Sequence, residues 1–207
     1  VHPQHSCLRL PHPLLRKEFF FMKRAIDLFL GLSAMLIFAI PFCILAVIVK
    51  CTSKGPVLYW SDRVGRDNKL FSMPKLRTML VDTPVVATHL LTNPDQFLSP
   101  VGGFLRKSSL DEIPQLWSIV RGDMSVVGPR PALFNQDNLI EMRTKVGVHT
   151  VRPGLTGWAQ INGRDELPLV EKVKLDVDYL QRQSLAFDMK VIFLTFLKVI
   201  RRDGITH

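Results

Sequence analysis

Twenty-two consecutive residues, Leu28 to Val49, carry no charge. As a helix this run is long enough to cross ~30 Å of hydrocarbon, and no other stretch of the 207 residues matches it. A many-span membrane protein is thereby excluded. Two details argue against a plain crossing. Pro41 lies inside the run, where it removes one backbone hydrogen bond and clashes with the preceding turn. Both flanks are basic, Lys23 and Arg24 before and Lys50 and Lys54 after, whereas a spanning helix prefers its positive charge on one side. A helix that enters, breaks at Pro41 and returns to the same face satisfies both flanks; a proline-kinked span is the plainer alternative. Asp27, at the start of the run, is expected to pair with a nearby base such as Arg24, because a lone charge deeper in a bilayer is costly.

The rest of the chain is basic, with 27 Lys and Arg against 18 Asp and Glu and a net charge of +9. At 47% hydrophobic residues it has ample apolar area for a core, which excludes disorder. Three cysteines (Cys7, Cys43 and Cys51) are an odd number without metal spacing, so a disulfide scaffold is excluded and a reducing compartment fits. From Lys50 to Met79 seven cations face two acids, a patch that attracts anionic headgroups. The charge also permits a nucleic-acid binder, but no reader motif accompanies it. Residues 1–21 read as a disordered extension, and Met22 before Lys23-Arg24 as a natural start. No small-residue cleavage site follows the apolar run, so no secretory signal is expected.

The fold class expected is α+β, mostly helical: an N-terminal re-entrant membrane helix, a small β-hairpin and amphipathic interfacial helices. The organisation is an extension over 1–21, a membrane helix over 22–50 and a cytoplasmic catalytic domain over 51–207. Val57 to Trp60 and Leu70 to Met73 read as two strands joined by a turn-rich loop, Arg63 to Asn68. Residues 81–103 are proline-punctuated and irregular, with one helical turn near Ala87 to Leu91. Leu185 to Arg202 is amphipathic, with Asp188, Thr195, Lys198 and Arg202 on one face and Phe187, Val191, Ile192, Leu194, Phe196 and Val199 on the other. It suits a core helix or, with its basic end, a membrane surface.

Three clusters are able to carry chemistry. Ser109 and Glu112 are spaced as a capping box opening a helix to about Val120. Asp111-Glu112 beside Arg106-Lys107 is equally how a metal–phosphate site is built. Positive neighbours and a helix N-terminus are expected to keep Asp111 ionised, and an ionised Asp attacks phosphorus directly. In the second cluster, Gly122 to Pro131, Arg130 sits between two prolines that stiffen its backbone; a rigid guanidinium fork suits phosphate, and a solvated turn is the bland alternative. The third, Val151 to Arg164, gathers glycines with Arg152, Gln160, Asn162 and Arg164, a loop suited to a nucleotide or phosphate. It has no Gly-Lys-Ser/Thr and no dinucleotide fingerprint.

Together these segments resemble the bacterial sugar transferases, the small monotopic phosphoglycosyl transferases. The resemblance is carried by Lys23-Arg24-x-x-Asp27 before the proline-broken run, Lys75-Leu-Arg-Thr-Met79, Ser109-Leu-Asp-Glu-Ile-Pro-Gln115, Gly122 to Pro131, Arg152-Pro-Gly-Leu-Thr-Gly157 and Gln160-Ile-Asn-Gly-Arg164. It implies a UDP-sugar giving its sugar-1-phosphate to undecaprenyl phosphate at the start of glycan assembly, for O-antigen, capsule, exopolysaccharide or glycoprotein. Asp111 is implied as the covalent nucleophile and Mg²⁺ ligand, and Glu112 as its partner acid. Arg106, Arg130, Lys75 and Arg77 are implied at the phosphates, and Arg152, Gln160, Asn162 and Arg164 at the nucleotide-sugar. Mg²⁺ is the implied cofactor. The implied setting is the inner membrane with the catalytic part on its cytoplasmic face, among membrane lipids and without nucleic acid; a homodimer is left open. Asp82 to Leu90 is similar to relatives that use N-acetylated amino sugars. The sequence departs from the family's pattern at Ile40, where Ser often precedes the proline, and at Pro74 and Leu76. A lipid-binding scaffold is the competing class; it needs neither the acidic pair nor Arg130.

Overall fold

The computed structural model describes residues 13–83, 94–163 and 167–201. A single helix, α1, runs from Pro13 to Thr52 with Pro41 inside it. It begins nine residues before Met22 and so includes the latter part of the segment read as disordered or an extension. The Glu18–Thr52 stretch is long and apolar enough to cross a membrane.

Lys23, Asp27 and Gly31 form a buried stripe at helical spacing, continued by Ala34 and Met35 against the core. Gly31 permits the close approach of the next partner: a Cβ there would lie 3.3 Å from Ile119. Residues 36–41 are all exposed, among them Leu36 at 80% and Ile40 at 74%. At the far end Val49 is fully buried again, and the Arg77 Nη2 donates to Ser53 O and Oγ at 3.0 and 2.8 Å. Both ends of α1 therefore pack on the same body while its middle does not.

Asp27 does not pair with Arg24. Asp27 Oδ1 accepts from Ser125 Oγ and the Val126 N–H, both at 2.9 Å. Arg24 instead donates to Ile119 O and Val120 O at 2.6 and 2.8 Å, satisfying carbonyls at the end of another helix. Lys23 makes the ion pair, 2.5 Å to Asp188.

The expected hairpin is present and longer. β1 (Leu58–Val64) and β2 (Leu70–Leu76) pair antiparallel, Leu58 opposite Leu76 and Val64 opposite Leu70. The turn between them places Asp67 and Asn68 at positive φ, which these residue types tolerate through local hydrogen bonding. Then come α2 (Gly102–Lys107), a 3₁₀ turn over Leu110–Gln115, α3 (Leu116–Arg121), β3 (Ser125–Val127), α4 (Asp137–Lys145), β4 (Gly154–Thr156), α5 (Trp158–Ile161), α6 (Leu169–Arg182) and α7 (Leu185–Arg201). β3 and β4 pair in parallel, Ser125 opposite Gly154 and Val127 opposite Thr156. The expected turn at 87–91 lies outside the described residues.

The capping box is not made. Ser109 has φ 56° and gives no side-chain cap, and Pro114, which lacks an N–H, keeps the first turn 3₁₀ before the α-helix starts at Leu116. One core cluster joins Phe71 and Met73 of β2 to Leu116, Ile119 and Met124. A second gathers Val127, Ile161, Tyr179, Phe187 and Val191.

α7 is amphipathic, as the sequence reading of a core or membrane-surface helix has it, but the helix buries part of both faces. Its polar residues point inward: Asp188 is buried on Lys23 and Tyr179, and Thr195 meets Thr156 at 2.7 Å. Met189, Phe193, Phe196 and Val199 are each at least 50% exposed. Buried hydrogen-bonding partners on α1, α6 and β4 draw the polar stripe inward. Of the apolar face, Phe187 and Val191 enter the second core cluster, whereas Phe196 and Val199 lie outside it.

Candidate active site

β2 delivers Lys75, the 3₁₀ turn delivers Asp111 and Glu112, and the turn after β3 delivers Arg130. Lys75 Nζ donates to Glu112 Oε1 at 3.1 Å, and Arg130 Nη2 donates to the same oxygen at 3.1 Å. Asp111 is held more loosely, its Oδ2 4.0 Å from Lys75 Nζ. The structure thus brings Lys75, Asp111, Glu112 and Arg130 together. Arg106 stands beside them, its Nε donating to Thr78 Oγ1 at 3.0 Å, close enough to Asp111 for the two charges to interact.

The two acids are pushed apart. Burial raises the Asp111 carboxyl to about 6, against the pull of Lys75 and with a push from Glu112. Burial acts on Glu112 in the same sense, but the charges and hydrogen bonds of Lys75 and Arg130 outweigh it and hold that group well below the usual carboxylate range. The expectation that positive neighbours and a helix N-terminus lower the Asp111 carboxyl is corrected: burial outweighs the pull of Lys75, Arg106 and Arg130. Asp111 remains mostly ionised at neutral pH, but as the more basic oxygen of the pair.

Arg130 lies in a turn that is fastened through its carbonyls, since Pro129 and Pro131 have no N–H. Pro129 O accepts from the Gly154 N–H at 2.9 Å, Arg130 O from Arg143 Nη1 at 2.8 Å, Pro131 O from Arg63 Nη1 at 3.2 Å, and Ala132 O from the Val64 N–H at 2.9 Å. Arg143 had no sequence signal; only the fold brings α4 to this turn.

Other expected site residues are engaged elsewhere. Arg77, 5% exposed, ties the end of β2 to the end of α1 rather than facing the acids. Gln160 Nε2 donates to Leu155 O at 3.0 Å, tying α5 to β4, and Asn162 Nδ2 donates to Trp158 O at 2.7 Å, closing the end of α5. Arg152, half-buried, feels the like charges of Arg24 and Arg66. Arg164 lies outside the described residues. The glycines of this segment do not form an open cradle. Cβ atoms at Gly128, Gly154 or Gly157 would each collide with backbone, mainly that of the other glycines, so these residues let the chain segments touch. Among the described residues no group of three or more His, Cys, Asp or Glu is arranged to hold a metal.

The chain is 40% identical over 185 residues to the UDP-glucose:undecaprenyl-phosphate glucose-1-phosphate transferase of Escherichia coli, covering 86% of this chain and 40% of that protein. It is 34% identical over 213 residues to the undecaprenyl-phosphate galactose phosphotransferase of Salmonella typhimurium, covering 95% and 44%. The chain thus spans less than half the length of these two relatives. The exopolysaccharide production protein ExoY of Rhizobium meliloti is 35% identical over 197 residues, with 88% of this chain and 87% of that protein covered. A family profile described as bacterial sugar transferase matches residues 18–202. With the profile spanning nearly the whole chain, this protein belongs to the bacterial sugar transferase family.

Proposed function

We propose that the chain transfers sugar-1-phosphate from a UDP-sugar to undecaprenyl phosphate through a covalent aspartyl phosphosugar, and so initiates the assembly of a glycan such as O-antigen, capsule, exopolysaccharide or glycoprotein. The observation that carries this reading is the division of labour between the acids. Glu112 is hydrogen-bonded by two cations, whereas Asp111 is buried with its nearest ion-pair partner, Lys75, at 4.0 Å and keeps a basic oxygen. In the first step an Asp111 oxygen bonds to the sugar-bearing phosphorus and the bond to the bridging oxygen breaks. UMP leaves with that electron pair. In the second step a phosphate oxygen of the lipid attacks the same phosphorus and the Asp111 carboxylate departs unchanged. Lys75 and Arg130 hold Glu112 and place two positive charges where the phosphate oxygens would bind.

Mg²⁺ fits as an ion carried in on the diphosphate: Asp111 supplies one carboxylate, and Mg²⁺ commonly takes one or two carboxylates with substrate phosphates and water. It would neutralise phosphate charge. The membrane reading is that α1 dips into the cytoplasmic leaflet of the inner membrane and returns. Packing of both its ends on one body, the exposed middle around Pro41 and the two basic flanks support it. The outward apolar face of α7 supports a seat for that helix at the lipid surface.

Mass spectrometry tests the covalent step. Given UDP-sugar and Mg²⁺ but no lipid, the protein should release UMP and carry a sugar-phosphate on the peptide containing Asp111. A lipid-binding scaffold would release none, and an adduct on Glu112 would reverse the two roles. A panel of UDP-sugars with the same UMP readout identifies the sugar.

A further inference from the structure

Behind the turn that carries Arg130 a small cleft opens, lined by Val64, Arg130, Ala132, Ile140, Arg143 and His149. The turn is held by the packing of Ala132 with Leu139 and Val173 and by bonds to its carbonyls. Three of those four carbonyls are held by β1 or β4. The one belonging to Arg130 itself is held by Arg143 of α4. Arg143 is 7% exposed, and its Nε and Nη2 both donate to Asp176 Oδ2 of α6, at 2.9 and 2.7 Å. Asp176 is 1% exposed. A planar guanidinium held on one edge by a carboxylate has its remaining N–H aimed in a fixed direction, and here that direction is the Arg130 carbonyl.

We infer that Arg143 and Asp176 are positioning residues for the transfer: Asp176 orients Arg143, and Arg143 sets the backbone from which the Arg130 guanidinium reaches Glu112 and the sugar-phosphate. The inference rests on the transferase reading, because Arg130 must touch the substrate for its placement to matter. Neither residue contacts the reacting atoms. A displacement of ~1 Å in such a group costs on the order of a hundredfold in rate.

The competing account is that the pair merely ties α4 to α6. Arg143→Lys separates the two. The ammonium still pairs with Asp176, so the helices stay joined, but a point charge cannot bridge Asp176 and the Arg130 carbonyl together. In the full chain in detergent, UMP release at saturating UDP-sugar should fall about tenfold or more, with the unfolding midpoint near that of the wild type. In an Arg130→Ala background the same change should cost no more than about twofold, because its effect runs through Arg130. Losses that multiply, or an Arg143→Lys protein with unchanged turnover, overturn the inference. If Arg143→Lys unfolds the protein, Arg143→Met with Asp176→Leu removes the carbonyl's donor while replacing the buried pair by apolar groups, commonly a tolerated exchange, and the same cycle is run with it. The transferase reading fails separately: either the wild type releases no UMP, or Arg130→Ala alone leaves release unchanged.

Discussion

Asp111 and Glu112 are neighbours in sequence with opposite surroundings. That the acidic pair stands among basic residues was legible from Arg106 and Lys107 just upstream. Which acid is free was not, because the deciding cations, Lys75 and Arg130, arrive from 37 and 18 residues away. The difference has consequences for both rate and stability. As the proposed nucleophile Asp111 must be ionised, so kcat/KM for UMP release should rise with pH with its midpoint at about 6 and level off roughly one pH unit higher; a flat profile from about pH 5 to 8 would count against Asp111. For stability the sign runs the other way. A carboxyl raised in the folded state binds more protons there than in the unfolded chain, so stability falls as pH rises between about 4 and 6. Asp111→Asn removes that opposing contribution. At pH 7.5 the variant should be more stable by on the order of 1–3 kcal/mol, read by thermal unfolding, while turnover drops ~10³-fold or more. Arg130→Lys should also fold and lose activity, since a point charge lacks the fork that meets Glu112 and phosphate together.

At the scale of elements, the apolar run and the hairpin were legible because each has an unbroken pattern. The face of α7 was not. Periodicity shows that a helix has two faces but is silent about which one a neighbour will cover; Lys23, Tyr179 and Thr156 decided it by taking Asp188 and Thr195. If the exposed face rests on lipid, Phe193→Lys with Phe196→Glu should weaken binding to anionic vesicles while leaving the unfolding midpoint within a few degrees. For α1, cysteines placed near Lys23 and near Lys54 in sealed vesicles should react with an impermeant thiol reagent from the same side; labelling from opposite sides would sink the re-entrant reading.

Across the whole molecule, contacts between distant parts of the chain close the structure. Lys23 reaches Asp188, 165 residues on, together with Val127 O and Tyr179 Oη, binding α1 to α6, α7 and β3 in one buried polar knot. Lys23→Met would leave Asp188 buried without its cation, at a cost of about 3–5 kcal/mol, measured as a lowered unfolding midpoint in detergent. Nothing in the motif around Lys23 names its partner, which is why the sequence reading paired Arg24 and Asp27 instead. The glycines at 128, 154 and 157 were visible as a motif, but the reason for them lies in the crossing of two segments. Each faces backbone of the crossing segment rather than a side chain alone. That distinction matters for inheritance. A clash with a side chain can be relieved by a compensating mutation that trims it, whereas main chain cannot be trimmed. A genetic selection for restored function that starts from Gly154→Ala is therefore expected to return glycine at 154 and no suppressor at any other codon.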